Sequence, residues 1–282
     1  MRWLAAVVLW VATTVALAVA VPAAWAQVNI VDEDGYAALA QTAAADPALQ
    51  SAMAAELTAR AMSLIAEHGA RHSTIDSSTV HDAAIAFTAS PSFPPLFAQA
   101  NRVAHSWLFS PPRLGDNGEQ WVVDVAPMLK DSTMQEVLRA HNVKAPTTLK
   151  VPLTVSVPQR VRQGELHRLA VWGPWVSIGA ASVSAVCGLL TLAAARRRGK
   201  AITSLGVSAL LVGAVGWAGI EVGDRYVNDA LDRTVGNIRR IADAMVGTAQ
   251  ASLHMWLDMT LITGAALVVL GVLAAMLGSL WR

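Results

Sequence analysis

Four long apolar segments, Leu4–Val21, Leu169–Ala195, Ile202–Val222 and Met259–Leu280, divide this 282-residue chain. Its one dense basic cluster, Arg196-Arg197-Arg198-Gly199-Lys200, sits between the second and third. A hydrocarbon core about 30 Å thick is crossed by about 20 helical residues rising 1.5 Å each. The last three segments meet that length, so the sequence predicts a mainly α membrane protein. Composition agrees: 54% of residues are hydrophobic and 15% charged, against about 25% charged in soluble chains.

The basic cluster sets the expected orientation. The link between the second and third segments, residues 196–201, is too short for a domain, and basic turns of this kind stay in the cytoplasm. Residues 169–195, 202–222 and 259–282 are then spans, with the C-terminus cytoplasmic. Residues 27–168 and 223–258 face outward. The expected location is the plasma membrane, as a multi-pass protein with a large extracytoplasmic loop. Trp25, Trp172, Trp175, Trp217 and Trp256 fall near the outer ends, and Trp3 and Trp281 near the inner ends, where an amphipathic indole is best accommodated. The first segment, within residues 1–26, reads two ways. Its length of eighteen residues lies between that of a signal-peptide core and that of a span. Ala24-Trp25-Ala26 has the small-x-small form of a cleavage site. Four spans are expected if it stays and three if it is cut.

The spans carry no mid-depth charge; Glu221 and Asp258 lie at outer edges. A proton relay or ion pathway would need such charges. Gly264, Gly271 and Gly278 recur every seven residues, and Gly213, Gly216 and Gly219 put small residues in the third span. These are the expected helix-packing faces, because small residues let helix backbones approach.

Residues 27–168 read as a helical domain with a small two-stranded β element. Asp32-Glu33-Asp34 places acids at the positive end of a helix through Tyr36–Ala43. Asp46-Pro47 reads as N-cap plus N1 of a longer helix to about His68, with Leu49, Met53 and Leu57 on its apolar stripe and Gly69 as its stop. Ser77, Ser78 or Thr79 caps a short helix through Phe87. The helix after Ser90-Pro91-Ser92-Phe93-Pro94-Pro95 is expected to share one side among Leu96, Ala100, Val103 (or Ala104) and Trp107. Trp121–Val125 and Leu149–Val157 read as pairing strands, Pro152 favouring an edge, with a helix over Pro127–His141 between them. Gly223–His254 reads as one amphipathic helix feeding the last span. Val227, Leu231, Val235, Ile238, Ala242 and Met245 lie on its stripe, and Asp229–Arg233 forms an i,i+4 pair. Its apolar face needs cover, either from the outward domain or from a second subunit.

Charge in the loop is polarised. Gln27–Glu136 carries thirteen acids and five bases, whereas Val137–Ala170 carries only Glu165 against six bases. Arg160, Arg162 and Arg168 adjoin the second span and are candidate contacts for anionic headgroups; a solvated linker is the alternative. Net charge is +1 and no basic stripe accompanies aromatic residues, which excludes nucleic acid as a partner.

Catalytic signatures are missing from the sequence. There is no Gly-x-Ser-x-Gly elbow, Walker loop, His-Glu-x-x-His or dinucleotide fingerprint. Cys187 is the single cysteine, within a span, so neither a disulfide nor a cysteine zinc site is available. His68 and His72 have metal-ligand spacing, but Gly69 between them ends the helix. No cofactor, metal site or catalytic residue is expected. Asn101, Arg102 and His105 form the candidate polar site; a structural hydrogen-bond set is the competing reading.

Several short stretches resemble part of an actinobacterial membrane-protein group of mycobacteria and streptomycetes. They are Asp32–Tyr36 with Ala45-Asp46-Pro47-Ala48-Leu49-Gln50, Ser90-Pro91-Ser92-Phe93, Ala100-Asn101-Arg102-Val103-Ala104-His105, Val123-Asp124-Val125-Ala126-Pro127 and the Arg-rich turn. The group has four spans and a large extracytoplasmic loop. The resemblance implies a cell-envelope setting and carries no reaction; the very short N-terminal tail departs from the pattern. The expected function is a non-catalytic envelope protein, not an enzyme, that presents its helical domain to a protein partner as an accessory to envelope assembly or transport. A lipid-handling or transport subunit with an apolar cleft is the first alternative, and a hydrolase with a site assembled only in three dimensions the second. Membrane lipid is an expected partner in every case.

Overall fold

The computed structural model describes residues 2–67, 76–111, 122–124, 135, 150–152, 164–195, 198–232 and 236–280. Its helices are α1 (Arg2–Ala26), α2 (Glu33–Ala43), α3 (Pro47–Glu67), α4 (Ser77–Thr88), α5 (Phe93–Phe109), α6 (His167–Ala194), α7 (Arg198–Leu231) and α8 (Asn237–Leu280). A π-helical turn, Gln27–Val31, follows α1. The fold is mainly helical, and α1, α6, α7 and α8 are each long and apolar enough to cross a membrane. The chain is therefore a multi-pass membrane protein by the length and composition of four helices. It divides into two units, one of Met1–Val31, Leu169–Val227 and Gln250–Arg282, the other of Asp32–Arg168 and Asn228–Ala249.

In the membrane unit, α7 and α8 run antiparallel with their backbones in contact. A Cβ on Gly206 would lie 2.7 Å from the Gly264 carbonyl oxygen, and one on Gly199 would lie 2.6 Å from the Ala275 nitrogen. No side chain fits there, and glycine at seven-residue intervals on both helices keeps the seam closed. The α1 helix lies parallel to α7: the Trp10 indole donates to the Ser204 carbonyl at 2.9 Å, and Thr14 Oγ1 donates to Ser208 Oγ at 2.8 Å. Antiparallel to α1 runs α6, with Gly173 against Gln27 and Val31 and Gly188 beside Thr13. The start of α1, the α6–α7 turn and the end of α8 thus share one end of the bundle. The outward-facing apolar side chains of α6 and α8, among them Ile178, Leu189, Ile262 and Val269, are exposed as lipid-facing residues must be.

The helical unit is built from two pairs, α2 with α5 and α3 with α4. Local signals start three of its helices. Asp32 accepts from the Gly35 amide at 2.9 Å, and Asp46 accepts from the Ala48 amide at 2.7 Å ahead of Pro47. The cap of α4 is Asp76, one residue before the expected Ser77; it accepts from the amide and hydroxyl of Ser78. The core joins Ala40, Ala43, Ala44, Leu49, Phe87, Phe93 and Phe97, with Met53 and Leu57 packed on it. Phe87 and Phe93 meet edge-to-face at 5.7 Å, a favoured aromatic geometry. On α5 the buried face is Phe93, Phe97, Ala98, Ala104, His105 and Phe109, whereas Val103 is exposed. Of the expected stripe, Leu96 packs on the core and Ala104 rather than Val103 is buried, while Phe93 and Phe97 take the largest core positions.

Gly223–His254 is not one helix. The α7 helix continues to Leu231, Gly236 turns the chain at φ +71°, and α8 starts at Asn237. Arg233 of the expected Asp229 pair lies outside the described residues; Arg239 instead pairs with Asp232 and Asp243. Ile241, Ala244 and Met245 of α8 pack on the Phe87–Phe93 core, so the chain's own domain covers part of this segment's apolar surface, including Met245 of the expected stripe. The expected basic turn is also shorter, since Arg198, Gly199 and Lys200 already belong to α7. Val122–Asp124 and Lys150–Pro152 lie antiparallel, Val123 opposite Val151; three residue pairs add no sheet layer to this helical fold. The rest of the expected strands, Gly69, and all but Gln135 of the expected Pro127–His141 helix lie outside the described residues.

Candidate functional site

The candidate residues Asn101, Arg102 and His105 are brought together on α5 facing α2. Tyr36 on α2 reaches between them: its hydroxyl donates to Asn101 Oδ1 at 3.4 Å, while Asn101 Nδ2 donates to the Phe97 carbonyl at 2.9 Å. His105 is buried. Its ring stacks on Phe109 at 4.1 Å and lies 5.2 Å from the Tyr36 ring. Arg102 meets Asp34 at 2.6 Å on the surface. Burial pushes the Tyr36 phenol above its ordinary value, so it stays a neutral donor. The set clamps α2 to α5. Among the described residues, His105 is buried at 5% exposure.

The other described histidines are similarly engaged. His81 Nδ1 lies 3.2 Å from Thr58 Oγ1 and joins α4 to α3. His167 Nδ1 lies 3.0 Å from the Phe109 carbonyl where the chain returns to α5. His254 stacks on Trp217 at 4.0 Å, and the Trp217 indole donates to Asp258 at 3.1 Å. No metal-holding group of three or more His, Cys, Asp or Glu occurs among the described residues; His68, His72 and His141 lie outside them.

Beside the clamp lies an open depression of about 530 Å³, lined by Glu33, Gln41, Gln99, Arg102 and Ser106 together with Pro95, Ala98 and Val103. Its polar rim is unlike the apolar walls that a lipid-carrying cleft needs. Among the candidate headgroup contacts, Arg168 is exposed in the first turn of α6, and Arg160 and Arg162 lie outside the described residues.

Of the candidate packing glycines, Gly264 and Gly271 sit in the α7–α8 seam against Gly206 and Gly199; the surroundings of Gly278 lie outside the described residues. On α7, Gly213 and Gly216 take up Leu261 and Leu257, while Gly219 has no atom within 4 Å of where a Cβ would be. Sequence reasoning missed the polar seam of Trp10, Thr14, Ser204 and Ser208, whose signal is a Trp–Thr pair four apart on one apolar helix and two serines four apart on another. It also missed Asp224, which accepts from Gln250 between α7 and α8 at the end of the helices away from Lys200.

Comparison with protein-family profiles, with curated proteins and with solved structures returns no match.

Proposed function

We propose that this protein is a non-catalytic membrane-anchored module, an accessory to envelope assembly or transport that displays its helical unit on the extracytoplasmic side of a bacterial plasma membrane. One observation supports the non-catalytic reading: among the described residues, the histidines of the helical unit and Arg102 are engaged in internal contacts. His105 is stacked and buried, His81 and His167 tie helices together, and Arg102 is paired with Asp34. The polar lining of the α2–α5 depression favours a protein-contact surface over the lipid-handling alternative. Extracytoplasmic placement rests on the basic α6–α7 turn. The resemblance to the actinobacterial four-span group is in keeping with an envelope role.

Crosslinking followed by affinity purification from native membranes tests the function. Specific co-isolation of an envelope transporter or synthase supports it, and a lone monodisperse protein with bound lipid overturns it. Orientation is tested separately: with Cys187→Ser as background, Asp82→Cys on exposed α4 should react with an impermeant thiol reagent in intact cells. Labelling only after the membrane is breached inverts the orientation. Loss of a measured hydrolytic activity on His105→Ala, with the fold retained, would revive the hydrolase reading.

A further inference from the structure

We propose that the groove beside the basic turn binds an anionic phospholipid of the adjoining leaflet. It is open, about 440 Å³, and is lined by Lys200 and Thr203 from the first turns of α7 and by Val272, Ala275 and Met276 from the last turns of α8. Two chemistries face one another across it. Lys200 is exposed at the end of the bundle and makes no ion pair among the described residues. Thr203 Oγ1 donates to the Gly199 carbonyl at 3.0 Å and keeps its lone pairs for a donor. On the facing α8 wall, Met276 near the Lys200 level and Val272 near the Thr203 level are exposed apolar side chains, Met276 at 59%. The floor is fixed by the close approach of Gly199 to Ala275 and Gly271.

The charge balance calls for an anion from outside the chain. Arg198 and Lys200 open α7 and Arg2 opens α1 at this end, and in sequence Arg196 and Arg197 directly precede α7 and Arg282 follows α8. The acids of the membrane unit, Glu221, Asp224 and Asp258, all lie toward the opposite end. Glu221 is 21 residues from Lys200 on the same helix, about 31 Å at 1.5 Å per residue, which is one hydrocarbon thickness. The free amides and positive dipole end of α7 add to the attraction. A soluble anion would meet the charge but leave the Val272–Met276 wall uncovered. A phospholipid places phosphate at Lys200 and an acyl chain along that wall, and basic pockets between membrane helices take lipid headgroups on these terms. The inference holds whichever compartment the basic turn faces.

The test uses the full chain in a non-ionic detergent, titrated with phosphatidylglycerol and with phosphatidylcholine of the same acyl chains, bound lipid being read by native mass spectrometry. Phosphatidylglycerol should bind preferentially. Lys200→Gln should weaken it about fivefold, the effect of one basic residue near an anionic surface, and Lys200→Arg should retain it. Met276→Trp keeps every charge and fills the groove, so it should lose the lipid as well. Arg225→Gln at the far end should change nothing. The affinity of the unmodified chain should also fall with added salt, a readout that needs no variant to fold. Equal binding of the two lipids, an unaltered preference in Lys200→Gln and Met276→Trp, or glycerol phosphate binding as tightly as the lipid would each overturn the proposal.

Discussion

Replacing Gly206 by alanine tests whether backbone contact holds α7 to α8. The added Cβ would stand 2.7 Å from both the Gly264 oxygen and the Val268 nitrogen, where ordinary contact begins near 3.4 Å. Both neighbours are backbone, so neither can swing aside. The helices must part by about 0.7 Å at that level, and overpacking of this kind costs about 1–3 kcal/mol. Gly219→Ala is the matched control on the same helix. No atom lies within 4 Å of its Cβ position, so it keeps the helix-propensity gain of up to about 1 kcal/mol without steric cost. Gly206→Ala has the same propensity gain, so the two variants should differ by the overpacking cost alone, about 1–3 kcal/mol, measured as the shift in unfolding of micelle-bound protein titrated with dodecyl sulfate and followed by far-ultraviolet circular dichroism. Gly206→Ala combined with Gly264→Ala should cost less than the sum of the two, because one separation relieves both clashes. If Gly206→Ala unfolds where Gly219→Ala does, the seam is not a contact of backbones and the packing argument fails.

Four further outcomes follow from the same structure. Thr14→Val should loosen α1 by about 0.6 kcal/mol, the usual worth of an interhelical hydrogen bond in a membrane. Mass spectrometry of the intact protein should find α1 attached, since Ala24-Trp25-Ala26 is helical and Trp25 donates to Ser252. Phe93→Ala should cost about 3–5 kcal/mol in the helical unit, read by the thermal unfolding of that unit; a loss under 1 kcal/mol would remove it from the core. The buried Tyr36 hydroxyl sets an alkaline limit. Its folded value lies above the unfolded one, so its contribution is complete below the ordinary phenol range and is lost as pH rises through the folded value. Tyr36→Phe should flatten that alkaline fall in stability, and a Tyr226→Phe background leaves Tyr36 as the one phenol to follow by ultraviolet absorbance.

Local signals were the legible ones. Hydropathy located the four membrane helices, and Asp32 and Asp46-Pro47 announced α2 and α3, because a cap acts within one turn of the helix it starts. The hairpin between α7 and α8 was hidden. Apolar residues keep helical spacing from Val227 to Leu253 across the turn, and the break is made by Gly236 without a proline. The buried face of α5 was legible in part: Leu96 and the alternative Ala104 do face the core while Val103 does not, and the choice between Val103 and Ala104, like the share taken by Phe93 and Phe97, is made by tertiary packing. Asn101, Arg102 and His105 could be recognised as a cluster, but their role depends on Asp34 and Tyr36, the latter 65 residues from Asn101, and no local pattern carries that distance.

The covering of the Phe87–Phe93 core by Ile241, Ala244 and Met245 also sets an order of synthesis. A ribosome that has made everything up to the α7 turn has produced a loop whose aromatic centre still lacks its last wall. The nascent chain must be shielded until the final helix emerges. Translation cut short anywhere before Asn237 should yield a product that quality-control proteases remove, even though every residue from Asp32 to Arg168 is present.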